Sequence, residues 1–307
     1  MPKARSRGRD VSGLLLLDKP AGLSSNDALQ RVKRIYQAAK AGHTGSLDPL
    51  ATGMLPICFG SATRLSSYLL DAHKVYRVTA MLGIATATGD AEGAVTVDRS
   101  TESAAAATQV EATLRQFVGE IEQVPPMYSA LKRDGVPLYR LARQGVEVAR
   151  EPRRVVIDQI TLEAYCWPEL TFAVRCSKGT YIRTLVEDVA AAIGTVGHVA
   201  ALRRLAVEPF VEDQMHSLEA LEADETAADG HRALDALLLA PDQALCGWPV
   251  VRLARAAAER IGHGQALPAD PAWPPGAVAV YTEPNEFVAI AMVTADGQLL
   301  PKRVFLR

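Results

Sequence analysis

Four consecutive leucines at residues 14–17 are closed at once by Asp18-Lys19-Pro20. An apolar run this short, ended by a residue that cannot donate a backbone hydrogen bond, suits a buried strand better than a helix. A second such run occupies residues 54–59. Between the two, Leu29, Val32, Ile35 and Tyr36 recur at helical spacing behind Ser24, Ser25 and Asn26, any of which can cap the helix. Residues 42–53 then break the pattern with three glycines and a proline, so a loop with room for one helical turn must carry the chain into the second strand.

Beyond this opening unit, Thr63 can cap a short helix to residue 70, and residues 74–83 alternate in part as a strand that includes Tyr76. Residues 89–93 form a turn, and the alanine-rich residues 104–117 form a helix. Prolines, glycines and basic residues flank a short helical pattern at 138–144, which makes residues 125–152 a protruding insertion. Strands are expected at 155–165 and 170–176, joined through Lys178-Gly179-Thr180 to a helix over 181–193, and another strand covers 199–207. Short apolar runs at 278–281, 287–293 and 304–306 give a small β-rich C-terminal domain. The chain divides into a flexible basic arm (1–11), a main domain (12–248) and a C-terminal domain (249–307).

Net charge over the 307 residues is −2, but the charge is unevenly spread. Residues 1–77 hold 12 Lys+Arg against 5 Asp+Glu, and residues 131–154 hold 7 against 3. Residues 212–250 hold 1 against 9 and read as an acidic helical segment. The two basic zones can neutralise phosphates; a single cluster of this kind is more often solvated surface. The leading basic residues and the leucines do not make a signal peptide, because the apolar run is too short and lacks a cleavage pattern, and nothing later reaches transmembrane length. A cytoplasmic protein is expected. The four cysteines, Cys58, Cys166, Cys176 and Cys246, form no C-x-x-C pair, and the six histidines show no metal-ligand spacing, so no metal is expected.

Asp48 precedes Pro49, and an arbitrary Asp-Pro pair most often caps a helix. Its surroundings argue otherwise. The stretch His43-Thr44-Gly45-Ser46-Leu47-Asp48-Pro49-Leu50-Ala51-Thr52-Gly53 resembles the aspartate motif of the TruB-type tRNA pseudouridine-55 synthase family. Other segments stand in the order that family shows: Leu17-Asp18-Lys19-Pro20-Ala21-Gly22-Leu23-Ser24-Ser25-Asn26, Lys74-Val75-Tyr76-Arg77-Val78, Cys176-Ser177-Lys178-Gly179-Thr180-Tyr181-Ile182-Arg183-Thr184 and Leu202-Arg203-Arg204-Leu205. The resemblance covers residues 12–211 well and the remainder loosely. Ser46 stands where alanine is frequent in the family.

The resemblance implies an α+β fold: a catalytic domain built on a mixed, mainly antiparallel sheet, with a thumb-like insertion and a small β-rich C-terminal domain of PUA type. It implies a cofactor-free isomerisation in which uracil leaves C1′, turns and reattaches through C5, with the T arm and T loop of tRNA as partner. Asp48 would be the nucleophile and Arg183 its ion-pair partner. A nearby guanidinium typically lowers a carboxyl pKa by roughly 1 to 3 units. Tyr76 would pack on the uracil and is a candidate for taking the C5 proton; Tyr181 and Leu202 would line the pocket. His43 would fill the space left by flipped nucleotides, and Lys19 and Pro20 would brace the catalytic loop. Lys132, Arg133, Arg140, Arg143, Arg150, Arg153 and Arg154 would form the thumb's phosphate-facing surface. The enzyme is expected to act as a monomer without an obligate protein partner. A nucleobase glycosylase, releasing free uracil, and an RNA chaperone are the rival readings. Whether Asp48 attacks C1′, attacks C6 or removes the 2′ proton is left open by the sequence.

Overall fold

The computed structural model describes residues 8–101, 105–226, 229–283 and 285–305. In chain order the elements are β1 (Gly13–Lys19), α1 (Ser25–Ile35), β2 (Ala41–His43), β3 (Thr52–Phe59), α2 (Ser66–Asp71), β4 (Lys74–Leu82), the hairpin β5 (Ile84–Thr86) and β6 (Val95–Asp98), and α3 (Ala107–Gln116). There follow β7 (Gly119–Gln123), the short hairpin β8 (Lys132–Arg133) and β9 (Val136–Pro137), α4 (Leu138–Arg143), β10 (Arg153–Cys166), β11 (Glu169–Cys176), α5 (Ile182–Ile193), β12 (Gly197–Val207) and β13 (His216–Ser217). Nine of these strands form one sheet in the order β13-β1-β3-β12-β4-β11-β10-β7, with β2 also paired to β3. Only β13 with β1 and β12 with β3 run parallel, so the sheet is mixed and mainly antiparallel.

The leucine run explains the left half of that sheet. Side chains alternate along a strand, so Leu15 and Leu17 face one way and Leu14 and Leu16 the other. The first pair packs with Val32, Ile35 and Tyr36 from α1 and its end; the second packs with Leu65, Leu69 and Phe210 and reaches Ile290 of the C-terminal sheet. A strand covered on both faces needs no polar side. The right half is different. One face of β4, β11 and β12 buries Val78, Ala80, Phe172, Val174 and Leu202 against α3 and α5. The opposite face carries paired charges, with Arg77 to Glu163 at 2.7 Å and Arg203 to Asp18 at 2.8 Å.

One expectation, about the N-terminal arm, needs correction. Residues 1–7 of the basic arm lie outside the described residues. Residues 8–11 are fastened to the main domain: the backbone of Arg9 pairs with Gln37 at 2.7 Å and Ala39 at 2.9 Å, its guanidinium meets Asp235, and Val11 is buried. The acidic segment is two short helices, α6 (Leu218–Glu225) and α7 (Gly230–Ala236), anchored through Leu218, Leu221 and Leu234.

The C-terminal unit is a five-stranded sheet with the order β14 (Val250–Leu253), β16 (Gly276–Thr282), β17 (Phe287–Val293), β18 (Gln298–Val304) and β15 (Leu267–Pro268). It has its own core around Val278, Val280, Val288 and Ala289 and the helix α8 (Arg255–Gly262). The last strand differs from the expected run at 304–306, of which Leu306 lies outside the described residues. It lies over Gln298–Val304 and contains Pro301 opposite Ala291, next to a register irregularity. Proline fits such a site, where the ladder is already interrupted. Among the described residues no helix is long and apolar enough to cross a membrane.

Strand β12 meets β3 at a very close approach. Gly53 lies beside Arg204 in the parallel ladder with φ +95°, and a Cβ there would sit 2.2 Å from the Arg204 carbonyl oxygen. Gly22 also has a positive φ, +81°, but open space around it. Gly22→Ala is expected to cost about 1 to 2 kcal/mol from backbone strain alone. Gly53→Ala is expected to cost several kcal/mol, because strain and a backbone clash combine. Urea denaturation of the two variants side by side checks this ranking.

Candidate active site

The loop that carries Asp48 is held by five residues. Ser25, at the start of α1, uses its hydroxyl twice, accepting from Leu47 N at 2.7 Å and donating to Leu47 O at 3.0 Å. The Thr44 N–H donates to Pro56 O at 3.0 Å, and Gly22 N–H donates to Pro49 O at 2.8 Å. From below, Arg204 donates from Nη2 to Gly45 O at 3.0 Å and from Nε to Met54 O at 2.6 Å. Lys19, fully buried, donates from Nζ to Pro20 O, Leu23 O and Pro49 O at 2.9, 2.7 and 3.4 Å. Burial lowers the Lys19 pKa to about 8, with the Asp48 charge acting to raise it. These contacts leave a turn, closed by Ala51 N to Asp48 O at 3.1 Å, and no helix for Asp48 to cap.

Freed from capping, the Asp48 carboxylate meets Arg183 Nη2 at 3.0 Å. Arg183 lies in the first turn of α5, a helix whose start is set by Gln123. The Gln123 amide accepts from Tyr181 N at 2.9 Å and donates to Tyr181 O at 3.2 Å. Arg183 is nearly buried, and its charge is divided: it donates to Thr88 O at 2.9 Å and Tyr128 O at 2.7 Å, and its Nη1 lies 3.6 Å from the buried Asp90. One cation therefore serves two carboxylates. The Asp48 side chain keeps 42% of its accessibility, yet it is crowded by the pocket walls.

This arrangement reverses the expected pKa direction. Loss of solvent raises the Asp48 pKa, Arg183 opposes that, and the Asp90 charge raises it again. The net direction is upward, not downward, because the guanidinium is shared and burial is the larger effect.

Asp48, Tyr76, Tyr181, Arg183 and Leu202 line one cavity of about 300 Å³, with Arg204 also in its wall. That volume lies at the small end for ligand sites, which run about 300–1,000 Å³. Burial pushes the Tyr76 phenol up, against a hydrogen bond from Arg204 that favours its ionised form. Tyr76 is accordingly a neutral phenol at physiological pH. Three of the residues singled out by sequence lie outside the lining. His43, Lys19 and Pro20 stand behind the loop, with His43 Nδ1 buried and without a hydrogen-bond partner. Burial, with Arg204 adding to it, lowers the His43 pKa and keeps the imidazole neutral. Among the described residues no group of His, Cys, Asp and Glu is placed to hold a metal ion.

Sequence reasoning missed Arg204, Asp90, Ser25 and Gln123. Two adjacent arginines in a strand must face opposite sides, so Arg203-Arg204 did carry a signal that one is buried. Asp90 read only as part of a turn. The base of the insertion also builds the site, which its sequence did not suggest: Tyr128 supplies a carbonyl to Arg183, and Ser129 and Ala130 line the cavity.

Comparison with known proteins gives a consistent picture. Residues 33–182 match the N-terminal domain of the TruB family pseudouridylate synthases, residues 183–246 match the tRNA pseudouridylate synthase B C-terminal domain, and residues 249–305 match the pseudouridine synthase II TruB C-terminal family. The chain is 49% identical over 304 residues to the tRNA pseudouridine synthase B of Pseudomonas paraeruginosa, covering 99% of both chains. It is 48% identical over 312 residues to that of Yersinia enterocolitica, covering 99% of this chain and 94% of the relative. In structure it is similar to the archaeal Nop10-Cbf5 complex of the box H/ACA particle, with a TM-score of 0.73 at 23% identity, over 97% of this chain and 87% of that one. A Cbf5-Nop10-Gar1 complex gives a TM-score of 0.74 at 24% identity, over 96% and 85%. At these identities the structural likeness speaks for the fold.

The charge arrangement can be titrated directly. With ¹³C-labelled aspartate, the Asp48 carboxyl should titrate above the ordinary value of about 3.9. Asp90→Asn should move that midpoint down, since it removes a repelling charge and leaves Arg183 to Asp48 alone. Arg183→Met should move it further up.

Proposed function

The chain belongs to the TruB family of pseudouridylate synthases, and we propose that it converts uridine 55 in the T loop of tRNA to pseudouridine, with Asp48 acting at the glycosidic bond. The observation that carries this reading is Asp48 itself, held at the edge of a base-sized cavity by Arg183 at 3.0 Å with aromatic and apolar walls around it. A preorganised carboxylate near a sugar-base bond can serve as nucleophile or base once ionised. Since its pKa is raised, the ionised fraction and the rate both grow as pH rises through the folded value.

A uridine stacked in a folded T loop must be extruded to enter such a cavity. His43, neutral and next to the loop, is suited to stack on a base left behind. Tyr76 and Leu202 would sandwich the uracil, with Tyr181 at its edge. The neutral phenol favours packing as the first task of Tyr76; taking the C5 proton would require a further base or transient ionisation. Lys19 and Pro20 support the loop from behind.

The thumb reading rests on α4 and its flanking hairpin. Lys132, Arg133, Arg140 and Arg143 are exposed there, whereas Arg154 is partly answered by Glu120 and Glu122. The C-terminal sheet, fixed to the main domain through the Leu14, Leu16 and Ile290 core, would meet tRNA beyond the T loop. A monomer, an accompanying role in remodelling tRNA and a cytoplasmic location belong to the same reading.

Site-specific mapping of pseudouridine in tRNA tests the assignment. Wild type should modify position 55, and Asp48→Asn should lose on the order of 10³-fold or more of that activity while retaining tRNA binding. Free uracil in place of pseudouridine would identify a glycosylase instead. Tyr76→Phe should keep affinity and lower the rate by about 10²-fold, the share of a positioned proton-transfer group. Replacing Arg140 and Arg143 together should reduce the salt slope of tRNA binding by about 2, since each phosphate that goes without its cation takes away close to one unit of slope.

A further inference from the structure

Among the described residues Arg204 is the largest fully buried side chain, 1% exposed, and it lies in the cavity wall. The antiparallel register sets it directly beside Tyr76, and its guanidinium donates to the carbonyls of Gly45 and Met54. Carbonyl dipoles accept those bonds without cancelling the charge. Among the described residues no carboxylate stands within ion-pair distance of Arg204; Asp48 and Asp90 are both engaged by Arg183. Lys74 is buried next in line, with Nζ donating to Leu69 O, Leu70 O and Ala72 O at the end of α2. Burying a cation without a countercharge is costly. It fits a site whose ligand becomes anionic.

Building on the proposed isomerisation, we infer that Arg204 is a positioning residue that holds Tyr76 and the Asp48 loop and supplies the fixed positive charge for the negative charge that develops on uracil. Each of the three roles open to Asp48 puts electrons on the ring. When C1′–N1 breaks, after attack at C1′ or loss of the 2′ proton, the bonding pair passes to N1 and spreads to O2 and O4. When Asp48 adds to C6, the C5–C6 pair passes toward O4. In every case C1′–N1 is broken and C1′–C5 forms, Asp48 gives up its bond to C1′ or C6 or returns the 2′ proton, C5 loses its proton and N1 gains one, so no atom is gained or lost. A preorganised charge in a water-poor wall acts on that intermediate more than on neutral uridine.

The test compares a neutral with an anionic ring in the same RNA. T-arm RNA carries uridine or 6-azauridine at the target position, at a pH where the aza ring is ionised and uridine is not. Binding is measured to Asp48→Asn, which stops turnover, with and without Arg204→Gln. The Asp48→Asn protein should prefer the ionised ring by on the order of tenfold or more, and adding Arg204→Gln should abolish that preference. Equal preference with and without Arg204→Gln would overturn the inference. Should Arg204→Gln fail to fold by thermal melting, Asp48→Asn with Arg204→Lys is measured in its place. It keeps the charge and must keep the preference; loss of preference in that folded protein also overturns the inference. Failure of wild type to form pseudouridine in the uridine RNA would instead sink the underlying reading.

Discussion

The structure turns on the point where β12 runs beside β3 too closely for a side chain to intervene. Gly53 touches the backbone of Arg204 there, and the same two residues close the far end of the Asp48 loop. Because the strands meet at this distance, the Arg204 side chain emerges directly under the loop and reaches the Gly45 carbonyl. A Cβ on Gly45, at φ +79°, would lie 3.4 Å from the same guanidinium. One close backbone approach thereby positions the loop, the buried arginine and, through the β4 register, Tyr76.

Charge in the cavity is organised by how few partners each group has. Arg183 is divided between Asp48, Asp90 and two carbonyls, so it orients Asp48 without dominating its titration. Arg204 donates to two carbonyls and the Tyr76 phenol and meets no carboxylate among the described residues. The pocket therefore has a carboxylate on one side and an unanswered cation on the other, a polarity suited to moving negative charge from the enzyme toward a bound ring. Lys19 from behind the loop and Lys74 from the cavity wall, both with pKa values lowered to about 8, add positive potential. A low-dielectric surround makes such potentials stronger than the same groups would produce in water.

Sequence by itself determined a good deal. Strand and helix order was legible because apolar runs and periodicities are local, and the leucines of β1 read as buried since a four-residue run bounded by proline admits few alternatives. The family resemblance picked out Asp48, Tyr76, Tyr181, Arg183 and Leu202, and the structure brings all five to one cavity. Tertiary structure alone decided the rest. Asp90 enters the site because the turn after β5 folds against α5, and Gln123 and Ser129 arrive from either side of the insertion's start; none of these leaves a local trace. The Asp48 pKa moves against its expected direction for the same reason: an ion pair can be expected from two residues, but desolvation and the sharing of a guanidinium depend on everything packed around them.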